Sequence, residues 1–304
     1  CLLDMQEVAG SSPARVTIKR SIMLKKIFLL IVAIVIGFFV LSFFFAEEDL
    51  ASTDVVDETL QNLGPFSEDP VLEIVDPNTV GISSSKIDKL FNLSFEDDAT
   101  QSVVLLKDGK LIGERYADGF DEFSFGTSWS MAKSFYAALI LISIDKGEIN
   151  SLDDKVSDYL SFFNDERSSI TIRQLLNMSS GLEYLDHQHE TMFFKKDHLE
   201  YSRNIGLEKE PDTLFEYNNV NSMLLGEILE ISTGEKADTL LDERILKKIG
   251  IKNRTLWRDE AQNVLTYCCI DMSARDYAKF GQLFSNGGSW NGEQIISKEL
   301  IDET

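Results

Sequence analysis

The stretch of sequence that says most about the fold is Gly126-Thr127-Ser128-Trp129-Ser130-Met131-Ala132-Lys133-Ser134-Phe135. Within it, Ser130 and Lys133 form a Ser-x-x-Lys pattern at the start of a predicted helix over 130–146, which Gly147 ends. Residues three apart share one face of a helix, so the amine of Lys133 can reach the hydroxyl of Ser130. In the first turn, the helix dipole also stabilises a developing alkoxide. Ser130 is therefore a candidate nucleophile with Lys133 as its base; the alternative is a solvated lysine at an ordinary helix start.

The rest of this helix is almost wholly apolar. Residues 135–144 read Phe-Tyr-Ala-Ala-Leu-Ile-Leu-Ile-Ser-Ile, and a helix without a polar face is buried all round. Desolvation beside such a core lowers the pKa of a lysine. An amine that is uncharged near pH 7 can act as a general base. The sequence thus predicts that one helix both positions Ser130 and tunes Lys133.

A second polar segment, residues 211–219, precedes another predicted helix. It reads Pro-Asp-Thr-Leu-Phe-Glu-Tyr-Asn-Asn and places Tyr217 and Asn219 two residues apart. A phenol beside a lysine can shuttle a proton, and an amide can hold a substrate carbonyl. Taken alone, Tyr217 is also typical of a half-buried aromatic residue, and Asn219 of a helix N-cap.

The elements around these segments are strands first and helices afterwards. Asp108-Gly109 lies between the apolar runs 103–106 and 111–116 and predicts a β-hairpin, because both turn residues need positive φ. Further helices are predicted after Thr171, over 219–232, over 236–248 and from Ser273 to 285. This order is typical of an α/β or α+β domain.

Four stretches together resemble the serine β-lactamase and penicillin-binding-protein superfamily, and most of all its class C-type branch and the 6-aminohexanoate-dimer hydrolase group. They are SWSMAKS at 128–134, ITIRQLLNMSSGL at 170–182, FEYNN at 215–219 and ARDYAKFG at 274–281. Their order and spacing fit, and the resemblance covers about 130–304. It implies a β-lactamase/transpeptidase-like fold, with an antiparallel sheet flanked by helices.

The resemblance also implies a function and roles for four residues. Ser130 is the acylated nucleophile, Lys133 activates it, and Tyr217 assists proton transfer to the leaving group. Asn219 binds and orients the substrate. The implied protein is a serine hydrolase that cleaves an amide or ester bond of a small molecule through an acyl-enzyme, with no metal and no organic cofactor. Two alternatives stay open: a membrane-anchored penicillin-binding or sensor protein that is acylated once, and a catalytically inactive relative.

The third motif of that family, Lys-Thr-Gly or His-x-Gly, has no counterpart after Tyr217. Ser232-Thr233-Gly234 lacks the preceding basic residue and lies at a predicted helix end. A backbone N–H at that motif completes the family's oxyanion hole, and loss of one such donor costs about 10²–10³ in rate. We therefore expect the domain at 81–304 to be truncated at its C-terminus. Such a piece would leave the hairpin with an unpaired edge and be poorly active or prone to aggregation.

Composition excludes two classes of protein. The 304 residues include 29 Lys and Arg against 51 Asp and Glu, a formal net charge of −22. Such a surface repels a phosphate backbone, so nucleic acid is not expected as a partner. Hydrophobic residues at 43% and charged residues at 26% are ordinary for a globular protein, so global disorder is excluded.

Residues 27–46, IFLLIVAIVIGFFVLSFFFA, are apolar and carry no charge. A run of about 20 such residues can span the bilayer core. Lys25 and Lys26 precede it and Glu47 follows, and positive residues stay on the cytoplasmic side. We favour a single-pass membrane anchor with the catalytic domain outside the cytoplasm. The alternatives are a cleaved signal peptide, giving a secreted or periplasmic protein, and a buried core helix.

The anchor has a basic segment before it, residues 1–26, and an acidic one after it, residues 47–80. Met23 is a natural start for a membrane-targeting segment, so residues 1–22 are interpreted as translated upstream sequence rather than native protein. Residues 47–80 contain interspersed prolines and are interpreted as a tether.

Two further pairs of residues are interpreted as core. Cys268 and Cys269 are sequence neighbours that predict neither a disulfide framework nor a zinc site, and small buried residues of this type are common. Trp129 and Phe135 are interpreted as core aromatics rather than as a ligand platform.

The three histidines of the chain lie close together in the sequence, at His187, His189 and His198. On a polar segment they are interpreted as solvated surface, with a role in a substrate loop as the alternative.

Overall fold

The computed structural model describes residues 72–184 and 188–303. The segments predicted at 1–26 and 27–46, and most of the tether predicted at 47–80, lie outside these residues. Within the described ranges, no helix combines the length and the apolar character that crossing a bilayer requires.

The first elements are a 3₁₀ turn at Pro77–Val80, helix α1 at Ser84–Ser94, and strands β1 at Ser102–Lys107 and β2 at Lys110–Tyr116. The strands pair antiparallel, and the φ angles of Asp108 and Gly109 between them are 51° and 76°. The predicted hairpin is therefore confirmed.

Short contacts attach the residues before α1, and α1 itself, to this hairpin. Leu111 N–H donates to Glu73 O at 2.9 Å, and residues 73–75 thus pair with β2. A β-carbon on Gly113 would come within 2.9 Å of Ile87 Cγ2 and 3.1 Å of the Phe91 ring. Helix α1 lies that close to β2 because position 113 carries no side chain.

The next elements lead directly to Ser130. Strand β3, Phe125–Thr127, is followed by a 3₁₀ turn at Trp129–Met131 and then by helix α2 at Ala132–Asp145. The predicted helix over 130–146 is confirmed except that its first residues form the tighter turn. Gly147, at φ 71°, follows the end of α2.

Helices make up most of the middle of the described chain. They are α3 at Ile172–Leu176, α4 at Gln188–Phe193, α5 at His198–Arg203, α6 at Asn219–Thr233 and α7 at Ala237–Leu241, which continues as a π-helical turn at Asp242–Leu246. Short 3₁₀ turns lie at Val156–Asp158 and Glu166–Ser169. Helix α6 packs against α2, α3 and α5, so the buried faces of α2 and α6 form the centre of the core.

The last elements return to the strand part of the domain. They are β4 at Thr255–Leu256, β5 at Ile270–Ser273, α8 at Ala274–Ser285, β6 at Ser289–Trp290, β7 at Glu293–Gln294 and α9 at Lys298–Glu303. Strand β5 pairs antiparallel with both β3 and β4, in the order β3-β5-β4. Helix α8 packs on the hairpin, where Arg275 Nε donates to Glu114 at 2.8 Å.

The predicted α/β class, with antiparallel strands and flanking helices, is confirmed. Across 72–184 and 188–303 the strands form three separate antiparallel sheets, β1-β2, β3-β5-β4 and β6-β7. The middle sheet and α2 are the elements that position Ser130.

A buried ion pair holds the start of α8 to its surroundings. Lys279 Nζ lies 2.7 Å from Asp276 Oδ1, and the two side chains are 3% and 1% exposed. Asp276 also accepts from the hydroxyl of Ser273, the residue that caps the helix. Removing one member of such a pair leaves a buried charge without compensation.

We expect Asp276→Ala to lower the free energy of unfolding by about 3–5 kcal/mol, measured by urea denaturation. The double variant Asp276→Leu/Lys279→Met removes both charges and should recover most of that loss. A double variant as unstable as the single one would show that packing rather than charge pairing accounts for the effect.

Candidate active site

The turn that carries Ser130 is fixed by reciprocal hydrogen bonds to strand β5. Ser128 N–H donates to Ile270 O at 2.8 Å, and Ile270 N–H donates to Ser128 Oγ at 2.9 Å. Cys269 N–H donates to Trp129 O at 3.3 Å. Because the two residues directly before Ser130 are tied to Ile270 of β5 and to Cys269 next to it, the position of Ser130 is set by the sheet as well as by α2.

Ser130 and Lys133 lie in direct contact, as the Ser-x-x-Lys spacing predicts. Lys133 Nζ lies 3.2 Å from Ser130 Oγ. The same nitrogen donates to the backbone carbonyl of Tyr267 at 2.8 Å. Ser130 is exposed and Lys133 is half-buried, so a substrate can reach the hydroxyl while the amine behind it is shielded.

The environment of Lys133 favours the uncharged amine. Burial lowers the pKa of Lys133 from its ordinary 10.5 to about 8. Across residues 72–184 and 188–303, no ion pair joins this lysine to a carboxylate. With a pKa of about 8, about a tenth of the molecules carry a neutral amine at pH 7, enough for a base that acts on the adjacent hydroxyl.

Tyr217 is the third predicted residue at this point. Its ring centroid lies 4.8 Å from Lys133 Nζ, and its side chain is 39% exposed. The loop before α6 that carries Tyr217 is held by Glu216 N–H, which donates to Met178 O at 2.8 Å. The structure therefore brings Ser130, Lys133 and Tyr217 together from two segments about 80 residues apart in sequence.

Asn219 is the first residue of α6, and its neighbour is the N-cap. Asn218 Oδ1 accepts from Val220 N–H at 3.0 Å, so the alternative that Asn219 caps the helix is wrong. Asn219 is half-buried and lies two residues beyond Tyr217. Its predicted contact with a substrate stays a prediction.

Tyr267 was not singled out by the sequence, although its carbonyl holds Lys133. Its ring centroid lies 5.8 Å from Lys133 Nζ, and its hydroxyl lies 3.0 Å from His198 Nδ1. No motif marks a backbone carbonyl, because any residue type could supply it. The only usable signal would have been the aromatic residue beside the Cys268-Cys269 pair.

The interpretation of His198 as solvated surface is wrong. The residue is only 3% exposed, and burial lowers the pKa of its imidazole. His198 Nε2 lies 3.2 Å from Phe193 O, a group that can only accept, so Nε2 carries the proton and Nδ1 accepts from the Tyr267 hydroxyl. His187 lies outside the described residues, and His189 belongs to α4.

We expect Tyr267→Phe to lower the free energy of unfolding by about 1–3 kcal/mol, because it leaves the buried Nδ1 of His198 without a donor.

The burial of His198 also predicts a pH dependence of the free energy of unfolding. The unfolded chain binds a proton at this histidine more readily than the folded one. Stability should therefore fall as pH drops below about 6.5. Urea denaturation at pH 7.5 and pH 5.5 measures both effects, and His198→Gln should reduce the loss at the lower pH. An identical loss in His198→Gln and in the unaltered protein would assign it to other groups.

Of the four residues interpreted as core from the sequence, three are buried and Trp129 is not. Phe135 is fully buried, as predicted, but the interpretation of Trp129 is wrong because 62% of its side chain is exposed. Cys268 and Cys269 are buried, as predicted. Their sulfur atoms are paired with each other as a disulfide, which the sequence did not predict.

No metal-binding cluster was expected from the sequence. In the part of the chain that the structure describes, no three His, Cys, Asp or Glu side chains come together as a set of metal ligands. The described groups around Ser130 are its own hydroxyl, the Lys133 amine, the Tyr217 phenol and the backbone carbonyl of Tyr267.

A comparison with known protein families matches the part of the chain that contains Ser130, Lys133 and Tyr217. Residues 97–302 match the family model described as Beta-lactamase. The chain belongs to the beta-lactamase family. The resemblance drawn from its sequence motifs is thereby confirmed.

The relatives of this beta-lactamase-family chain carry several names. A D-aminopeptidase of Brucella anthropi is 30% identical over 53% of this chain and 33% of that protein. Penicillin-binding protein 4 of Amycolatopsis lactamdurans is 28% identical over 44% of this chain and 36% of that protein. The chain thus spans about a third of the length of these relatives.

Solved structures share the fold. A Bacillus anthracis protein provisionally named a 6-aminohexanoate-dimer hydrolase has a TM-score of 0.63 and 24% identity, covering 71% of this chain and 61% of that one. An octameric penicillin-binding protein homologue from Pyrococcus abyssi has a TM-score of 0.58 and 18% identity, covering 73% of this chain and 59% of that one.

Proposed function

We propose that this chain carries the nucleophile and base of a serine hydrolase that cleaves amide or ester bonds through an acyl-enzyme. The observation that carries the proposal is the 3.2 Å contact between Ser130 Oγ and a Lys133 amine whose pKa is lowered to about 8 by burial. A nucleophile and a base within hydrogen-bond reach are what acyl transfer requires.

In the first half of the proposed reaction, Lys133 accepts the proton of Ser130 as Oγ attacks the carbonyl carbon of the substrate. The tetrahedral intermediate collapses when the bond to the leaving nitrogen or oxygen breaks. The Tyr217 phenol, beside Lys133, passes a proton to that leaving group and takes in its place the proton that Lys133 received from Ser130. Ser130 is left as an ester of the acyl group.

In the second half, water attacks the Ser130 ester and its proton passes to Lys133, directly or through the Tyr217 phenol. The Oγ–acyl bond breaks, Ser130 regains its proton and the carboxylic acid leaves. The Asn219 amide would orient the substrate carbonyl in both halves. Among the relatives, the names D-aminopeptidase and 6-aminohexanoate-dimer hydrolase support an amide as the scissile bond.

A penicillin-binding or sensor protein that is acylated once is the second candidate. The name of the Amycolatopsis lactamdurans relative and the predicted anchor at 27–46 favour it. The two functions differ only in the second half of the reaction. In an enzyme the Ser130 ester is hydrolysed rapidly, whereas in a sensor it is long-lived.

One experiment tests the proposal and separates the two candidates. The protein is mixed with p-nitrophenyl acetate, benzylpenicillin and a D-alanyl p-nitroanilide, and both product release and the mass of the intact chain are followed. An acyl adduct on Ser130 with continuing release supports the hydrolase, and an adduct that persists for hours supports the sensor. Absence of any adduct that depends on Ser130, tested against Ser130→Ala, would overturn both.

We further propose that residues 27–46 anchor the protein in a membrane with the domain outside the cytoplasm. The uncharged run and the lysines before it support this orientation. Protease added to intact cells should digest an epitope placed after residue 303 but not one placed before residue 23. Recovery of the domain in the medium, without residues 27–46, would instead support a cleaved signal.

A further inference from the structure

The disulfide between Cys268 and Cys269 lies in the short segment that holds both the base and the turn of the nucleophile. The carbonyl of Tyr267, directly before the pair, accepts from Lys133 Nζ at 2.8 Å. Within the pair, Cys269 N–H donates at 3.3 Å to the carbonyl of Trp129, the residue before the nucleophile. Both cysteines are buried. The linked pair therefore connects the contact that holds the base to a contact that holds the nucleophile's turn.

The covalent geometry makes this connection a stiff one. A disulfide between neighbouring residues closes a small ring that contains both sulfur atoms, both Cβ and Cα atoms, and the peptide bond between the two residues. The nitrogen of that peptide bond is the donor to Trp129 O. The Tyr267 carbonyl belongs to the preceding peptide bond, which is planar, so only the N–Cα bond of Cys268 can rotate between it and the ring. Closing the ring thus restricts the directions of both hydrogen-bonding groups.

The backbone of Cys269 also needs to be held in place. Its φ is 75°, in the left-handed region that residues with a side chain disfavour. Such a conformation persists when the surrounding structure fixes it. On one side Cys269 is linked covalently to Cys268. On the other side Ile270 exchanges two hydrogen bonds with Ser128, at 2.8 and 2.9 Å. The disulfide and the sheet therefore hold this residue from both directions.

We propose that the disulfide between Cys268 and Cys269 positions Lys133 for proton transfer. By fixing the direction of the Tyr267 carbonyl, it holds the amine 3.2 Å from Ser130 Oγ. The two cysteines are thus positioning residues that act through a backbone carbonyl, and the inference rests on the proposed acyl-transfer function. The proposed location of the domain outside the cytoplasm agrees with it, because disulfides persist in oxidising compartments.

Loss of the link should change both the position and the ionisation of Lys133. When the Tyr267 carbonyl turns away, the amine gains positions nearer to water, and a displacement of about 1 Å can cost about 10²-fold in rate. Burial lowers the pKa of Lys133 to about 8, so an amine that reaches water titrates closer to 10.5. The described groups that face this amine are the Ser130 hydroxyl, the Tyr217 ring, and the ring and carbonyl of Tyr267. None of these groups is a carboxylate, so water is the main influence on its pKa.

The test follows the labelling of Ser130 by an uncharged fluorophosphonate between pH 6 and pH 10. The variants are Cys268→Ala, Cys269→Ala and the double variant. Each single variant should lose as much as the double variant, about 10- to 100-fold, because either change removes the link. The pH at which the rate levels off should rise above about 8 in all three. Cys1→Ala removes the remaining cysteine of the chain and should behave as the unaltered protein.

Reduction of the folded protein makes the same comparison without a substitution. Dithiothreitol supplies two electrons and two protons, the Sγ–Sγ bond breaks, both cysteines become thiols, and the reagent becomes a cyclic disulfide. Alkylation of the unfolded chain should count one thiol before reduction, since two of the three cysteines are paired, and three afterwards. The labelling rate should fall to that of the double variant and return on reoxidation. The double variant itself should not respond to the reagent.

A second measurement reads the ionisation of Lys133 without any reaction at Ser130. The ¹³Cε shift of Lys133 is followed against pH in protein labelled with ¹³C-lysine and assigned with Lys133→Met. A titration that stays near 8 in the alanine variants and in the reduced protein would overturn the inference, even with a lower labelling rate, because the disulfide would then have only a structural role. Three thiols in the unreduced chain would overturn it too. If Ser130 is not labelled in the unaltered protein, it is the proposed function that fails, and the Lys133 titration still decides the inference.

Discussion

Lys133→Met is expected to lower the rate of Ser130 acylation by about 10²–10⁴, the usual contribution of a positioned general base. Methionine keeps most of the volume of the lysine stem in the half-buried site but cannot accept a proton. The hydrogen bond from Lys133 Nζ to Tyr267 O is lost as well. Burst kinetics of p-nitrophenolate release with a p-nitrophenyl ester measure this effect directly.

Lys247→Met is the matched control because that lysine is exposed, on the turn after α7, and pairs with Glu243. It should acylate at the rate of the unaltered protein. A Lys133→Met variant that retains more than about a tenth of the rate would mean that another group takes the proton from Ser130.

Ser130→Ala is expected to have the largest effect of any single change, a loss of about 10⁴–10⁶ in acyl transfer. The covalent adduct with a fluorophosphonate should disappear together with the activity. In that reaction Ser130 Oγ bonds to phosphorus and fluoride leaves, so the alanine variant has no oxygen at this position to form the bond.

The labelled peptide identifies the nucleophile by mass spectrometry. Ser128→Ala and Ser134→Ala provide the controls, since both hydroxyls lie in the same segment. Ser134→Ala should label normally. Ser128→Ala should label more slowly, because Ser128 Oγ accepts from Ile270 N–H and fixes the turn. Persistent labelling of Ser130→Ala at an unchanged rate would contradict the assignment.

Local signals in the sequence predicted much of the fold correctly. Asp108-Gly109 predicted the hairpin because a two-residue turn with positive φ at both positions is a purely local requirement. The apolar run after Lys133 predicted the central helix because burial on every side is visible in composition alone. Spacing on that helix also brought Ser130 and Lys133 together.

Features that depend on long-range contacts were missed. His198 lies in a polar stretch of sequence, and it is buried only because α5 places it against Tyr267, 69 residues later. Trp129 was assigned to the core by residue type, but 62% of its side chain is exposed and its backbone is left-handed, with φ of 45°. The carbonyl of Tyr267 contacts Lys133 through its backbone, so no side-chain pattern could reveal it.

The pH dependence of fluorophosphonate labelling tests the central claim most directly, namely that a shielded and partly uncharged Lys133 activates Ser130. An uncharged fluorophosphonate avoids any titration of the reagent. The second-order rate constant for Ser130 should rise about tenfold per pH unit below the pKa of about 8 and level off above it, since only the neutral amine accepts the proton. A rate constant that is unchanged between pH 6 and 10, or that is still rising at pH 10 as for a solvated lysine, would contradict it.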